Sequence, residues 1–533
     1  MYKIPKLGLW VAICIAAFVI CAIGALLSFT PSLDLSQIWF DPYYRHVTKF
    51  SFYQASLSTL LSVGLAIPVA HALYRNSFVG KQWVLKLFSA TLVLPVLVGI
   101  FGLVSIYGNK GLIVELLDWM GFAAPFSIYG LKGILLAHVF FNLPYASRLL
   151  LMALESIPCE QHKLCAHLGM THWHKFKWIE WPRLRQQLPH VIGLVFMLCF
   201  TSFATVMALG GGPKSTTIEL AIYQAIKFDF DLQAGAILAL WQMLLCSLIA
   251  FSVHRLATPI SVTASTQISD HFSLSASWRS RVWDGFWIIF SLLLVIPPLF
   301  MVVWSGLNAQ VVKVLSDPAF WNALWTSCKI ALLASVFALF AGIAILLTSR
   351  RLRLNTKARF ADQIELIGTI ILVTPSLVIA TGVFLLLRSF TDVFSLGFVV
   401  VVMVNALMGL PYVIKTLSQP MLHIEQQYQY LCASLGIKGW QRFRLIEWRA
   451  LRRPLAHAFA ISFMFAIGDL SAIALFGSQE FRTLPLYLFQ LLGSYQIAAA
   501  AVVSLTLLIL SLGCFALIES LFKANSKVKY AHV

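Results

Sequence analysis

Long apolar runs constrain the fold of this chain more than any other feature of its sequence. Stretches of about 20 apolar residues, enough to cross a hydrocarbon core roughly 30 Å thick, occur at twelve places. Only 11% of the 533 residues are charged, against about 25% in soluble domains. The sequence predicts an all-α integral membrane protein, with spans near residues 9–29, 53–74, 88–108, 130–150, 190–210, 233–254, 285–306, 326–348, 365–387, 397–414, 456–476 and 497–521.

Most lysine and arginine residues fall in alternate loops between these spans. Basic residues of short loops remain preferentially on the cytoplasmic side of a membrane. Placing the N-terminus inside puts the basic loops 148–185 and 415–453 in the cytoplasm, and an even number of spans brings the C-terminus there too. The net charge of +18 is spread over many such loops, so it indicates topology and not a nucleic-acid partner.

Two polar, glycine-centred loops of matching sequence indicate an internal duplication. Leu164–Leu188 and Leu431–Leu455 are identical at 13 of 25 aligned positions without a gap, and Gly169 matches Gly436. With six spans in each half, both halves enter the membrane in the same orientation, as in a parallel repeat about a pseudo-twofold axis. The predicted organisation is a first six-helix half at 1–256, a cytoplasmic linker at 257–283 and a second six-helix half at 284–533.

Each of these loops has the pattern of a short amphipathic helix that follows a turn. In the first loop, Trp173, Phe176 and Ile179 are spaced by three residues and so share one face of an α-helix. The preceding Gly169 permits a backbone turn that larger residues disfavour. A helix lying among lipid headgroups would also favour tryptophan and basic residues, but the repeated glycine position favours a pair of docking surfaces.

Both loops resemble the cytoplasmic signature loop of ATP-binding cassette importer permeases. In that family an alanine-containing helix precedes a glycine, and an isoleucine follows at the spacing of Gly169 and Ile179, which Gly436 and Ile446 repeat. The chain departs from the family pattern at the start of both loops, where Leu-Cys stands in place of Ala-Ala. It also departs at the end of the second loop, where Arg449 replaces a proline.

A fused pair of such halves resembles the iron-type permeases, and most of all those of bacterial thiamine importers. The stretches that carry this likeness are Gly133–Leu151, Gly210–Ala225 and Phe481–Tyr495. The resemblance implies an inner-membrane permease for thiamine and its phosphate esters. It also implies coupling of the loops to an ATPase through Ala166, Gly169, Trp173, Phe176, Ile179, Ala433, Gly436, Trp440, Phe443 and Ile446.

The same resemblance implies the partners and excludes catalysis by this chain. Two copies of a cytoplasmic ATPase would dock on the two loops, and a periplasmic substrate-binding protein would deliver the substrate. The chain would be a transport subunit and not an enzyme, in contact with membrane lipid and without a cofactor of its own, because the partner ATPase uses the ATP.

Two other functions are compatible with the residues. One is the same type of permease acting on another substrate, such as ferric iron. The other is an ion-coupled secondary transporter, which works without an ATPase and often has inverted repeats. The parallel repeat and the paired loops favour the ATP-driven importer over the secondary transporter.

Asp469 is the clearest ionisable residue within a predicted span. Charged groups within a membrane are costly, and they are candidates for a function by default. Asp469 would face the transport pathway and offset the charge of a cationic substrate. The alternative is a structural ion pair with Lys329, which lies in another span.

Two further motifs are not interpreted as sites. The segment GGGPKST at Gly210–Thr216 resembles a phosphate-binding loop, but Pro213 replaces the glycine needed before the lysine. His167, His172 and His174 cluster in the first loop without a carboxylate to complete a metal site. The sequence predicts an external turn, surface histidines, no metal site and no catalytic residue.

Overall fold

Every regular element in the described part of the chain is a helix. A computed structural model describes residues 6–30, 40–122, 127–256, 278–355, 357–372, 374–390, 392–393, 395–437 and 439–521. The α-helices up to residue 256 are α1 (Leu7–Ser28), α2 (Pro42–Arg75), α3 (Lys81–Val93), α4 (Val96–Tyr107), α5 (Leu112–Trp119), α6 (Leu131–Glu155), α7 (Cys159–His167), α8 (His172–Lys175), α9 (Trp181–Phe200), α10 (Phe203–Leu209), α11 (Ile218–Lys227) and α12 (Leu232–Leu256). The remaining α-helices are α13 (Trp278–Gly306), α14 (Val311–Ser316), α15 (Pro318–Leu354), α16 (Ala358–Gly368), α17 (Ser376–Arg388), α18 (Gly397–Ser434), α19 (Gly439–Arg442), α20 (Trp448–Gly468), α21 (Ser471–Phe476), α22 (Leu484–Gly493) and α23 (Ile497–Leu521). The predicted all-α class is confirmed.

The helices agree closely with the predicted spans. Among the described residues, ten helical segments are long and apolar enough to cross a membrane, two of which, Val96–Trp119 and Phe443–Phe476, join neighbouring helices; the bent pair His172–Phe200 and Phe203–Leu209 makes an eleventh. The predicted spans 88–108 and 365–387 are the exceptions, because the first crosses the break between α3 and α4 and the second divides into α16 and α17. Helix α17 has 13 residues, which at 1.5 Å per residue give a length of about 20 Å, too short to cross alone.

Proline breaks the third and ninth predicted spans at corresponding places. Pro95 separates α3 from α4, and Pro375 immediately precedes α17. Both breaks follow from the clash of a proline ring with a helical conformation in the residue before it. Pro144 and Pro411, by contrast, lie inside the continuous helices α6 and α18, where neighbouring groups can satisfy the backbone groups that proline frees.

The chain forms two compact units, each built from segments that are not continuous in the sequence. The first unit contains residues 34–221 and 244–308, and the second contains residues 1–33, 222–243 and 309–533. The opening helix of the chain, α1, therefore belongs to the second unit, and α13 belongs to the first. The predicted division into two halves at 1–256 and 284–533 describes the sequence duplication, and it stays a prediction. Most of the predicted linker at 257–283 lies outside the described residues.

Within the second unit, α1 packs closely against α15 and α17. The backbone N–H of Gly8 donates a hydrogen bond to Thr348 Oγ1 at 3.1 Å. A Cβ atom added at Gly382 would lie 2.4 Å from the carbonyl oxygen of Ala22. Only glycine at 382 allows α1 to approach α17 this closely.

Within the first unit, α13 makes the corresponding contacts with α2 and α4. The Asn76 side chain donates a hydrogen bond to Asp284 Oδ2 at 3.0 Å. A Cβ atom added at Gly102 would lie 2.4 Å from the carbonyl oxygen of Pro298. Pro298 follows Ala22 by 276 residues, as Asp284 follows Gly8, so α1 and α13 make these contacts from equivalent positions.

The same 276-residue offset relates the polar groups that begin the second helix of each half. Asp41 Oδ1 accepts a hydrogen bond from the N–H of Tyr43 at 2.7 Å, and Asp317 Oδ1 accepts one from Ala319 at 2.9 Å. Each aspartate caps the free amides of a helix that begins with proline. The duplication therefore extends well beyond the two matching loops.

A buried serine on each of these helices also fixes a short helix that lies far away in the sequence. Ser51 Oγ accepts a hydrogen bond from the N–H of Ile218 at 3.0 Å. Ser327 Oγ accepts one from the N–H of Leu484 at 2.7 Å. These bonds hold the starts of α11 and α22 in equivalent places within the two halves of the repeat.

We expect Gly382→Ala to destabilise the protein by about 1–3 kcal/mol, the usual cost of overpacking. The new methyl group would meet the Ala22 backbone, which cannot move aside as a flexible side chain can. Gly24→Ala is the matched control, because a Cβ atom at Gly24 meets nothing within 4 Å. Thermal unfolding in detergent tests both variants, and equal midpoints would contradict the close packing.

Candidate functional site

The first signature loop, Leu164–Pro182, begins with a glycine cap on α7. Gly169 has a φ of +61°, its N–H donates to the carbonyl of Ala166 at 3.2 Å, and the N–H of Met170 donates to that of Cys165 at 3.0 Å. This pair of bonds closes a helix end of the Schellman type, which requires a left-handed residue. The predicted glycine turn is present.

The second signature loop, Leu431–Arg449, repeats this cap at the end of α18. Gly436 has a φ of +66°, and the N–H of Ile437 donates to the carbonyl of Cys432 at 2.9 Å. A Cβ atom added at Gly169 or at Gly436 meets no atom within 4 Å. Backbone conformation, and not lack of space, is therefore the reason for glycine at both positions.

Each loop then passes through a wide π-helical turn before the next span. These turns are Phe176–Glu180 and Phe443–Glu447. The N–H of Trp181 donates to the carbonyl of Phe176, and that of Trp448 donates to Phe443. Bonds of this i→i+5 type are rare and occur often at functional sites. The sequence did not indicate them, because the spacing of apolar residues was interpreted with α-helical geometry.

The π turn changes how the predicted coupling residues are presented. The ring of Trp173 is 67% exposed and stacks on the ring of Phe176 at 5.9 Å. Phe176 and Ile179 are half-buried, and their predicted role in coupling stays a prediction. Half-buried positions also include Ala166, Phe443 and Ile446, whereas Ala433 is exposed. The side chain of Trp440 lies outside the described part of the structure.

Both loops nevertheless present large apolar side chains on their surface. The exposed ones in the first loop are Leu164, Leu168, Trp173, Trp178 and Trp181. Those in the second loop are Leu431, Leu435, Leu445 and Trp448. A cluster of exposed apolar groups with fixed backbone turns is typical of a surface that binds another protein.

Buried charges connect the second signature loop to two long helices. Glu425 accepts two hydrogen bonds from the Arg442 guanidinium, at 3.2 and 2.6 Å, and it also contacts Arg350 and Arg351 at 3.3 and 3.2 Å. Glu447 lies 2.9 Å from Arg350 and 3.3 Å from Arg442. The network ties the π turn to α15 and α18.

This network stabilises the charged form of the Arg442 guanidinium. Burial alone would lower the pKa of Arg442, but the hydrogen bonds and negative charge of Glu425, with the charge of Glu447, raise it above its ordinary value. Paired carboxylates of this kind satisfy a buried guanidinium that would be very costly alone.

The first signature loop is tied in the same place by different chemistry. Glu180 matches Glu447. It forms a hydrogen bond with His71 Nε2 at 2.8 Å and lies 3.6 Å from Lys175 Nζ. Lys175 corresponds to Arg442 in the 267-residue register. The loop is therefore fastened to α2 as the second loop is fastened to α15, but through a histidine in place of an arginine.

Asp469 lies at a helix break, where it caps a short helix. It sits between α20 and α21, and its carboxylate accepts hydrogen bonds from the N–H groups of Ser471 and Ala472 at 3.1 and 3.3 Å. Lys329 is exposed and lies over the ring of Trp325 at 5.2 Å. No ion pair joins these two described residues, so the structural ion pair considered above does not form. The role of Asp469 in a transport pathway stays a prediction.

The remaining motifs have simpler conformations. Gly211 and Gly212 have φ values of +70° and +137°, and Pro213–Ser215 forms one 3₁₀ turn, as the prediction of a turn required. Among the described residues, no three or more histidine, cysteine or acidic side chains come close enough to hold a metal.

The chain is similar over nearly its full length to transport permeases. Residues 334–525 match the family described as the inner membrane component of binding-protein-dependent transport systems. The thiamine transport system permease protein ThiP of Escherichia coli is 47% identical over 97% of this chain and 95% of its own length. That of Haemophilus influenzae is 42% identical over 97% of this chain and 96% of its own.

The chain belongs to this family of binding-protein-dependent permeases. A more distant relative, a probable sulfate transport system permease protein cysT of Marchantia polymorpha, is 22% identical over 42% of the chain and 76% of its own length. Membership confirms the resemblance inferred from the signature loops. It makes the chain a transport subunit of an inner membrane and not an enzyme, one that works with an ATPase and a substrate-binding protein.

Proposed function

We propose that the chain is the membrane permease of an ATP-driven importer that carries thiamine and its phosphate esters into the bacterial cytoplasm. The substrate is inferred from the identity of 47% and 42% with thiamine permeases, which extends over both halves. Identity of that extent includes the parts of both halves where a pathway would lie. The more distant sulfate relative covers less than half of the chain.

The two signature loops are the docking sites for two copies of the ATPase. Their exposed leucine and tryptophan side chains supply apolar contact area, and their glycine caps fix the direction of each loop. The basic residues around the loops support a cytoplasmic position for them and for both chain termini. ATP is bound and hydrolysed by the partner, and lipid surrounds the spans.

Buried polar contacts explain how movement of a docked ATPase would reach the spans. Glu447 is joined to Arg350 near the end of α15, a helix of 37 residues. Glu180 is joined to His71 near the end of α2, which has 34 residues. A displacement of either loop is thereby passed to a long helix, and access to the pathway alternates between the two sides of the membrane.

The external loops Gly210–Gln224 and Gly477–Gln496 receive the substrate-binding protein. They occupy matching places in the two halves, and the hydrogen bonds that Ser51 and Ser327 accept fix the start of the short helix within each loop. Such duplicated and rigid loops suit a receptor with two lobes, one lobe for each loop.

Uptake by reconstituted vesicles tests this function. Vesicles carrying the chain and its ATPase, loaded with ATP, should accumulate labelled thiamine when the substrate-binding protein is present outside. Omission of ATP should abolish accumulation. Uptake of ferric iron in place of thiamine would identify the iron permease instead. Accumulation driven by a proton gradient without the ATPase would identify a secondary transporter.

We expect Gly169→Val and Gly436→Val to weaken ATPase docking by roughly tenfold or more, since a β-branched residue is strained at positive φ by about 1–3 kcal/mol. The spans should still insert, because the loops lie outside them. Co-purification of the ATPase measures the effect. Gly169→Asn is the matched control, because asparagine tolerates left-handed backbone. If co-purification is normal in the valine double variant, the loops are lipid anchors.

We expect Asp469→Asn to reduce thiamine uptake by about tenfold while assembly remains normal. Asparagine keeps an oxygen that can cap α21, but it removes the charge that would offset a cationic substrate. Asp469→Ala also loses the cap, so it should lower the thermal unfolding midpoint as well. Normal uptake by the asparagine variant would show that Asp469 acts only as a helix cap.

A further inference from the structure

Two aromatic residues adopt a backbone conformation that the chain otherwise reserves for glycine. Phe230 has a φ of +54° and Tyr495 a φ of +58°, and every other described residue in this left-handed region is a glycine. Each follows the short helix before the last span of its half: Phe230 comes after α11 and Tyr495 after α22. We call these two residues the aromatic pair.

The helix end at Tyr495 has the same cap as the signature loops. The N–H of Tyr495 donates to the carbonyl of Leu492 at 3.2 Å, and the N–H of Gln496 donates to that of Leu491 at 3.0 Å. Glycine fills this position at Gly169 and is its usual occupant. A tyrosine there costs free energy that a glycine would not, because its Cβ crowds the backbone.

The end of α11 is closed by a wider version of this turn. The N–H of Asp229 donates to the carbonyl of Gln224 at 3.1 Å, and that of Asp231 donates to Ala225 at 2.8 Å, with Phe230 between them. The one-residue difference between the two loops is absorbed here, and an aromatic residue still occupies the left-handed position.

Packing within the chain does not explain why these rings are present. The side chain of Phe230 is 74% exposed and that of Tyr495 is 87% exposed. Strained backbone persists where the surroundings fix it, and it is concentrated at functional sites. A ring that occupies a strained position and is turned outward indicates a contact with another molecule.

Within the second compact unit, a lysine joins the segment that leads to Phe230 to the start of the segment that leads to Tyr495. Lys227 Nζ, at the end of α11, donates hydrogen bonds to the carbonyl oxygens of Leu475 and Gly477 at 3.2 and 3.1 Å. Gly477 begins the loop that leads through α22 to Tyr495. The segments that carry the two rings are therefore joined to each other by direct contacts.

We propose that the aromatic pair is a docking contact for the substrate-binding protein, with one ring for each of its lobes. This inference rests on the proposed function and names residues that anchor its receptor. Aromatic side chains dominate the energetics of protein interfaces, and a backbone fixed in advance lowers the ordering cost of binding.

A fluid lipid surface does not account for the pair as well as a protein does. Lipid contact needs no particular backbone direction, and many exposed aromatic residues of this chain, such as Trp10 and Trp304, lie on ordinary helices. The pair differs from them in its fixed backbone and in its occurrence at matching places in both halves.

The test uses the chain with its ATPase in lipid nanodiscs and titrates the substrate-binding protein. We expect the double variant Phe230→Gly, Tyr495→Gly to raise the receptor concentration for half-maximal ATP hydrolysis by at least tenfold. Hydrolysis without receptor should be unchanged, and the thermal unfolding midpoint should stay equal or rise because the strain is relieved. Phe390→Ala is the matched control, because Phe390 is 82% exposed without a left-handed backbone.

An unchanged half-maximal receptor concentration in the double variant would overturn the inference. A lower unfolding midpoint and altered receptor-free hydrolysis, with unchanged receptor affinity, would identify the rings as lipid anchors and would overturn it as well. If the receptor fails to stimulate even the unaltered chain, the proposed function itself is wrong. Stimulation of the unaltered chain with loss only in the double variant supports both.

Discussion

The need to satisfy every backbone amide inside a membrane governs this fold. Lipid cannot hydrogen-bond to peptide groups, so each span is helical, and each interruption must supply its own partners. The chain does this with side chains: Asp41 and Asp317 cap long helices, and Asp469 caps the short helix after a break. Ser51 serves the start of α11 in the same way. The interruptions are therefore defined structures, and these are the places where the two halves can present surfaces to partners.

The signature loops depend on charges that are buried beneath them. An exposed loop with a glycine turn could not transmit a movement to the spans if it moved independently of them. In the second loop, the carboxylate of Glu425 holds Arg442 and the ends of the neighbouring helices at once. Removing one member would leave charges buried and unpaired, which is far more costly than the pair is stabilising. The first loop has Pro158 in the position of Glu425, and it relies on His71 and Glu180 instead.

The predictable parts of this structure are those that depend on local sequence. Apolar run length predicted the spans, and the repeated glycines predicted the left-handed turns at 169 and 436. The close approach of Gly382 to Ala22 could not be predicted, because it depends on which helices meet in space. The π turns were not predicted, because the spacing of three residues was interpreted with α-helical geometry. The bond between Arg350 and Glu447 spans 97 residues and leaves no periodic signal.

The differences between the two halves are as informative as their similarities. Caps, glycine turns and the aromatic pair recur at matching places in the two halves. A substrate without twofold symmetry, however, cannot meet two identical surfaces on a pseudo-twofold axis, so the halves must differ where they contact it. Such a difference occurs at the corresponding helix breaks, where Ser202 in the first half matches Asp469 in the second. Ser202 bonds to the buried His138 at 2.8 Å, whereas the Asp469 carboxyl accepts hydrogen bonds from the amides that begin α21, so the two halves are not chemically equivalent at these breaks.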